Sequence, residues 1–172
     1  ATIKKEKALG KEEAKEVIVK AKQLGCMGKI KPFDLTIHKG EVIGLSGLLG
    51  SGRSELARTL YGADKADAGN LEVKANKLHM SMPLRAMKAG MAFCPENRKD
   101  EGIIAELSVR ENIIIALQAK KGVFKLLSKK EQEVFTDRYI DLLQIKTAHR
   151  DVPIKQLSGG NQQKVILGRW LL

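Results

Sequence analysis

A glycine-rich stretch at residues 47–54 decides the fold predicted for this chain. It consists of Gly47, Leu48, Leu49, Gly50, Ser51, Gly52, Arg53 and Ser54. Residues 41–46 before it are β-prone without a helical period, and residues 55–60 after it favour a helix. The order of strand, glycine-rich turn and helix predicts an anion site, because glycines let successive backbone N–H groups converge at the positive end of the helix.

The spacing matches the phosphate-binding motif G-x-x-x-x-G-K-[ST], except that Arg53 replaces the lysine. In that motif Ser54 offers a hydroxyl to Mg²⁺, and position 53 offers a cation to the outer phosphates. Arginine keeps the charge but is larger and planar, so it does not act as a compact ammonium group. We predict nucleotide binding with impaired hydrolysis, against the alternative of a glycine-rich turn that binds nothing.

A second glycine-containing stretch lies near the end of the chain, at the start of a predicted helix. It comprises Leu157, Ser158, Gly159, Gly160, Asn161 and Gln162. Taken alone, it fits an ordinary serine N-cap on a flexible loop. A serine hydroxyl and free N–H groups at a helix N-terminus equally make an anion site, so the residues leave both interpretations open.

The first half of the chain carries mainly strand signals. They lie at residues 17–19, 33–38, 71–73 and 91–94, the last of which resembles a buried strand. Ser81 and Pro83 begin a short helix that Gly90 can end.

The second half is predicted to be helical. Ser108 with Glu111 and Ser128 with Glu131 fit the capping box, in which the two side chains satisfy each other's free backbone donors. The helix after Ser128 carries apolar residues at helical spacing and should bury that face. These residues are Phe135, Tyr139 and Leu142.

Composition indicates one globular domain of 172 residues, with 43% hydrophobic and 30% charged residues. No apolar run approaches the roughly 20 residues that span a bilayer, and no signal peptide is evident. Two cysteines without metal or disulfide spacing favour a reducing cytoplasm. The net charge of +11 fits anionic partners, but scattered lysines and only 4% aromatic residues favour a solvated basic surface over a nucleic-acid site.

Together the two glycine stretches resemble the phosphate loop and the LSGGQ signature of ABC ATPases, in the order that this family places them. The resemblance continues through residues 95–98, Pro-Glu-Asn-Arg, and residues 108–113, and it covers nearly the whole chain. Residues 52–54, 94–102 and 157–164 resemble the C-terminal half of the double ATP-binding subunits of bacterial monosaccharide importers of the ribose, xylose and galactose types. Within that group, residues 47–54 and 108–119 most resemble galactofuranose importer subunits.

The resemblance implies an α/β P-loop ABC ATPase domain with a mixed sheet core, an antiparallel β subdomain and a helical subdomain that carries the signature. It divides the chain into a linker or disordered start at residues 1–15, a core with the phosphate loop at 16–94, and the Q-loop region, helical subdomain and signature helix at 95–172. The domain is expected to be incomplete at its C-terminus, since the family continues into a Walker B strand. No catalytic residue is therefore expected within the chain, and His149 and Glu111 are interpreted as surface residues.

The resemblance also implies which residues bind ATP and Mg²⁺. Nucleotide contacts fall to Gly47, Leu48, Gly50, Ser51, Gly52, Arg53, Ser54 and Glu55. The residues expected to contact the ATP bound by the other ABC half, in trans, are Leu157, Ser158, Gly159, Gly160, Asn161 and Gln162. The expected ligands of Mg²⁺ are Ser54 and Glu96. Glu96 stands where the family usually has the Q-loop glutamine. No aromatic residue precedes Phe33, so the ring that stacks on adenine in many ABC domains has no counterpart here.

The implied function is ATP-driven uptake of a monosaccharide. The implied partners are the other ABC half in a head-to-tail dimer, a transmembrane permease at the cytoplasmic face of the cell membrane and, indirectly, a periplasmic sugar-binding protein, without nucleic acid. Two alternatives remain open: a soluble ABC-type ATPase acting on nucleic acid or ribosomes, which the basic charge favours, and a nucleotide sensor without hydrolysis, which Arg53 and Glu96 favour.

Overall fold

The computed structural model describes residues 16–78, 82–122 and 124–172, together with the backbone of residues 2–5. The chain divides into two compact units, Ala1–Met91 and Ala92–Leu172. The first unit contains the strands and the phosphate loop, and the second contains the longer helices and the signature.

A four-stranded antiparallel sheet forms the body of the first unit. Its strands are β2 (Val17–Cys26), β3 (Ile30–His38), β5 (Ala68–Val73) and β6 (Asn76–Leu78), in the order β3-β2-β5-β6. The strand signals at 17–19, 33–38 and 71–73 are confirmed, although each strand is longer than its signal. One face packs a core of Val19, Ala21, Leu24, Leu35, Leu71 and Val73. This apolar face gives the sheet the burial that a hairpin alone lacks.

A separate two-stranded pair leads into the phosphate loop. Strand β4 (Ile43–Ser46) pairs antiparallel with β1 (Thr2–Lys5). Residues 2–5, within the start predicted as a linker or disordered, form a strand, and their pairing satisfies backbone groups that β4 would otherwise leave open. Residue 1 and residues 6–15 lie outside the described part of the chain.

Two helices complete the first unit. Helix α1 (Arg53–Tyr61) follows the phosphate loop, and helix α2 (Pro83–Lys88) begins with Pro83, as predicted. Gly90 after α2 has a left-handed φ of 90°, which suits a residue that ends a helix. Ser81, the other predicted start signal, lies outside the described residues.

The strand predicted at residues 91–94 is wrong. These residues have no regular structure, and Ala92 and Cys94 are exposed. An apolar run becomes a strand only where a neighbouring strand accepts its backbone hydrogen bonds, and none of the described strands pairs with these residues.

Three helices surround the core of the second unit: α3 (Val109–Lys121), α4 (Lys129–Leu142) and α5 (Gly159–Leu171). A π-helical turn (Arg98–Gly102) precedes α3, and a 3₁₀ turn (Ile154–Gln156) precedes α5. Both predicted capping boxes are present, at the starts of α3 and α4. The core consists of Ile103, Val109, Ile113, Tyr139, Ile145, Ile154, Leu157, Val165 and Ile166.

The predicted apolar face of α4 is only partly correct. Tyr139 is buried and Phe135 is half-buried, but Leu142 is 63% exposed. The side chains after Tyr139 that pack on this core are Ile140 and Leu143 rather than Leu142, and Leu143 lies four residues after Tyr139. Within the described ranges, no helix is both long enough and apolar enough to cross a membrane.

Candidate functional site

The phosphate loop is an exposed turn whose shape depends on left-handed glycines. Gly50 has φ 76° and Gly52 has φ 86°, a region that residues with a Cβ enter at a cost. The N–H of Ser51 donates to the carbonyl of Leu48 (3.1 Å), which closes the turn, and Gly52 is the N-cap of α1. The loop therefore runs directly into a helix N-terminus, as the motif requires.

The backbone amides at the start of α1 are well placed for an anion. The first helical hydrogen bond runs from the N–H of Leu56 to the carbonyl of Gly52 (2.9 Å), so the turn before Leu56 lies ahead of the helical ladder. The amides of this turn form the positive end of the helix dipole. Residues from Gly47 to Gly50 and Ser54 are exposed, which leaves this end of the helix open to solvent.

The predicted nucleotide residues differ in how their side chains are placed. Leu48 and Leu49 are almost fully exposed, so only their backbone can shape the loop. Arg53 and Glu55 are half-buried on the first turn of α1. Within the part of the chain that the structure describes, the Arg53 guanidinium makes no hydrogen bond or ion pair with the protein. It remains available to a phosphate oxygen.

Helix α1 is anchored at its far end by a cluster of charges. Asp64 is 6% exposed and accepts hydrogen bonds from Lys29 Nζ (2.8 Å) and from Arg58 Nε (3.2 Å). These donors, Lys29 first, lower the pKa of the Asp64 carboxyl against the opposing effect of its burial. The cluster joins α1 to the turn between β2 and β3.

The signature loop is held by its side chains. Gln162 is buried, and its Nε2 donates to the carbonyls of Leu157 (3.1 Å) and Ile154 (3.3 Å). Asn161 accepts the N–H of Lys146 (2.8 Å) and donates to Ser158 Oγ (2.9 Å). Leu157 is also buried, so the side chains of Leu157, Asn161 and Gln162 pack or bond within their own unit, and the Ser158 hydroxyl accepts one of these bonds.

The remaining signature residues form its accessible surface. Ser158 and Gly160 are exposed, and Gly159 is half-buried. Ser158 is the N-cap of α5, but its hydroxyl makes no capping bond to the helix backbone. The hydroxyl therefore does not consume the N–H groups of the first turn, which helix geometry leaves without partners inside the helix.

The predicted Mg²⁺ ligands lie in different units. Ser54 belongs to the first unit and Glu96, which is exposed, belongs to the second. Their joint role stays a prediction. Both offer hard oxygen donors, the type that Mg²⁺ prefers, and Mg²⁺ commonly takes one or two such protein ligands together with substrate phosphates.

Neither residue considered as a general base has a catalytic setting. The carboxylate of Glu111 accepts from the N–H (2.8 Å) and the hydroxyl (2.6 Å) of Ser108, and these bonds lower its pKa. His149 is exposed, and its Nδ1 accepts the N–H of Asp151 (3.2 Å). Both side chains serve local structure.

Sequence reasoning missed the side chains that support the signature helix. Arg98 contacts the start of α5, and Arg169 donates from its last turn to the carbonyls of Gly102 and Asn112 (both 2.8 Å). Asn112 is fully buried. A polar Asn directly before the apolar run of α3, residues 113–117, was the available sequence signal, since buried amides are hydrogen-bonded.

A family model described as ABC transporter matches residues 30–172. The match covers most of the chain, which therefore belongs to the ABC transporter family. Solved structures agree on the fold. A dimeric post-hydrolysis structure of the ATP-binding cassette MJ0796 bound to ADP and Pi has a TM-score of 0.69 at 24% identity, over 90% of this chain and 69% of that one. The predicted α/β ABC ATPase fold is confirmed.

Curated relatives narrow the likeness to sugar import proteins. The fructose import ATP-binding protein FruK of Bifidobacterium longum is 54% identical over 154 residues, which are 90% of this chain and 30% of that protein. The galactofuranose transporter ATP-binding protein YtfR of Escherichia coli K12 is 50% identical over 151 residues, 88% of this chain and 30% of that protein. The chain thus spans less than a third of the length of these relatives.

Proposed function

We propose that this chain is part of the ATP-binding subunit of a sugar ABC importer and couples ATP binding and hydrolysis to the transport of a monosaccharide. Membership of the ABC transporter family and the high identity to the fructose and galactofuranose proteins support this proposal. The observation that carries it is the phosphate loop, in which left-handed Gly50 and Gly52 lead directly into the open N-terminus of α1.

In this proposal the phosphate loop binds the ATP phosphates through the first-turn amides of α1 and the Arg53 guanidinium. The amides bind phosphate oxygens because they carry the positive end of the helix dipole. Arg53 adds charge, but its planar donor set spreads over a wider area than an ammonium group. This site is therefore the weaker of the two ATP sites in the paired subunit.

Ser54 and Glu96 are the proposed protein ligands of Mg²⁺. When bound, the ion neutralises charge on the phosphates and orients them for transfer. Glu96 then adds a carboxylate where a neutral glutamine is usual, so its repulsion of the nucleotide is offset only while the metal is present. ATP affinity at this site should accordingly depend strongly on Mg²⁺.

The proposed role of the signature is to act in trans on the ATP of the other ABC half. Ser158, Gly159 and Gly160 present the accessible hydroxyl and amides, which can stabilise the negative charge that develops during phosphoryl transfer. The side chains of Leu157, Asn161 and Gln162 hold this surface in shape. The permease at the cytoplasmic face of the membrane, and through it a periplasmic sugar-binding protein, would receive the motion of the paired halves.

Calorimetry on the complete subunit with Mg²⁺ and ATP tests the proposal. We expect two binding events, of which the weaker tightens roughly tenfold, about 1.4 kcal/mol, in the Arg53→Lys variant. Arg138→Lys, an exposed change on α4, is the matched control and should alter neither event. Absence of the weaker event from both wild type and Arg53→Lys would remove the nucleotide role of this loop.

Transport assays separate the importer from the alternatives. The subunit reconstituted with its permease should hydrolyse ATP and drive sugar uptake. Binding without turnover would instead support a nucleotide sensor, and binding to nucleic acid that weakens steeply with salt would support the nucleic-acid alternative.

A further inference from the structure

Arg98 reaches from the π-helical turn to the start of the signature helix. Its Nε donates to Oε1 of Gln162 (3.3 Å), the buried amide that holds the signature loop. Its guanidinium also covers the backbone of Gly159. A Cβ added at Gly159 would overlap Arg98 Nη2 and lie 2.8 Å from Cζ. A larger residue at position 159 would therefore require the Arg98 side chain to move.

The π-helical turn is also joined to the body of α5. Gly102 packs so closely that an added Cβ would lie 2.8 Å from Ile166 and 3.4 Å from Pro95. The Arg169 guanidinium returns from α5 to the Gly102 carbonyl (2.8 Å) and to Oδ1 of Asn112 (3.0 Å). The turn is thus held at both ends, by Arg98 near the start of α5 and by Arg169 near its end.

This arrangement links the segment around Glu96 to the accessible part of the signature. Pro95 is buried against the π-helical turn, and Arg98 is two residues after Glu96. A shift of this segment would move the backbone that carries Arg98. The guanidinium contacts both the amide that supports the loop, at Gln162, and the loop backbone, at Gly159.

We propose that Arg98 is a positioning residue, which sets the conformation of Ser158, Gly159 and Gly160 through its contacts with Gln162 and Gly159 and couples that conformation to the Glu96 segment. The inference rests on the proposed function for its effect on ATP hydrolysis. The coupling itself is a property of the second unit and does not depend on a bound nucleotide.

The guanidinium shape is the feature that matters. Nε donates a hydrogen bond to Gln162, while Nη2 lies over Gly159. A lysine ammonium is a single compact centre and cannot occupy both places at once. Arg98→Lys should therefore behave like Arg98→Ala. If Arg98 acted only through its charge, lysine would preserve its effect.

Hydrogen exchange on the nucleotide-free complete subunit is the first test. In Arg98→Lys and Arg98→Ala, we expect residues 157–164 to exchange at least threefold faster, with the thermal midpoint of the protein nearly unchanged. Arg138→Ala, on an exposed arginine of α4, should leave this segment unaltered. Wild-type exchange across residues 157–164 in both Arg98 variants would overturn the proposal.

A double-mutant cycle with Gly159→Ala is the second test. The new methyl group must displace Arg98, so Gly159→Ala alone should speed exchange of the segment as much as Arg98→Ala does. The segment should exchange no faster in the double variant than in either single variant, because both changes remove the same contact. Additive effects would mean that the two residues act separately and would overturn the coupling.

ATP hydrolysis by the complete subunit gives the functional readout. Both Arg98 variants should lower kcat roughly tenfold with little change in KM, since a signature acting in trans contributes mainly in the transition state. Altered exchange in an Arg98 variant with unchanged kcat would overturn the role in hydrolysis. If the wild-type subunit itself neither binds nor hydrolyses ATP, the proposed function fails, while the exchange experiment still decides the coupling.

Discussion

The phosphate loop and the signature loop both begin a helix at glycines, but they hold their shapes in different ways. Gly50 and Gly52 of the phosphate loop are in the left-handed region, and an added Cβ at Gly50 meets no atom of the described residues within 4 Å. Gly159 has no left-handed φ, and an added Cβ there would require the guanidinium end of the Arg98 side chain to move. One loop depends on backbone conformation and the other on packed side chains.

The difference extends to what supports each helix. Helix α1 is anchored at its far end by ionised Asp64, and α5 is supported at its start by the neutral amide of Gln162. Charged support depends on pH, whereas amide support does not. Two similar glycine-rich sequences can therefore be held in shape by different interactions, one by its backbone conformation and the other by packed side chains. Each loop can be tested separately.

The largest effect is expected from Gln162→Leu. The change leaves the Leu157 carbonyl without its side-chain donor and removes one of two donors from the Ile154 carbonyl, which keeps the N–H of Leu157 (3.0 Å). The free energy of unfolding should fall by about 2 kcal/mol. Urea unfolding measures it, with Gln163→Leu, an exposed neighbour, as the control expected to change it by less than about 0.5 kcal/mol. Equal effects of the two changes would mean that the amide does not support the loop.

The next largest effect is expected from Gly52→Ala. A methyl group at φ 86° should destabilise the protein by about 1 to 2 kcal/mol, although the new Cβ would make only an ordinary van der Waals contact, 4.0 Å from Ile30 Cδ1. Gly44→Ala is the matched control, because this position in β4 has no left-handed φ and an added Cβ meets no atom within 4 Å among the residues whose side chains the structure describes. If thermal unfolding ranks Gly44→Ala as the more harmful change, backbone conformation is not what limits this loop.

Asp64→Asn should lower the free energy of unfolding by about 1 kcal/mol at pH 7. The loss is no larger because Lys29, which is half-exposed, can be solvated by water when its partner is removed. The folded pKa of Asp64 lies below its ordinary value of 3.8, so its stabilisation is complete above that value and is lost as pH falls through the lower folded pKa. Urea midpoints of wild type and variant should therefore differ at neutral pH and converge below about pH 4. Asp141→Asn, an exposed change on α4, should show no such convergence, and a constant Asp64 difference at every pH would contradict the role of its charge.

The smallest effect, of opposite sign, is expected from Gly160→Ala. Position 160 is helical, and within the part of the chain that the structure describes an added Cβ meets no atom within 4 Å, so the change should stabilise the protein by about 0.5 kcal/mol. The same methyl group would cover the accessible surface proposed to face ATP and should lower kcat. Gly159→Ala, which collides with Arg98, provides the comparison, and a stabilised Gly159→Ala would show that the two glycines are equivalent.

Local signals were sufficient for much of the fold. The capping boxes of Ser108 with Glu111 and Ser128 with Glu131 and the proline at the start of α2 were correctly predicted from neighbouring residues. They succeed because a cap is satisfied within one turn of its own helix. Residues 91–94 failed as a strand because pairing depends on a partner that no local pattern supplies.

The sequence by itself determined the family and the positions of both glycine-rich loops, since their spacing expresses a requirement of the backbone at a helix start. Only the tertiary structure decided which of those residues remain accessible. It buried Leu157 and Gln162, left Ser158 and Gly160 exposed, and brought Arg98 onto Gly159 from 61 positions away in the chain. The physical reason is that accessibility and long-range side-chain contacts arise from packing between elements distant in sequence, whereas turns and caps arise from neighbours.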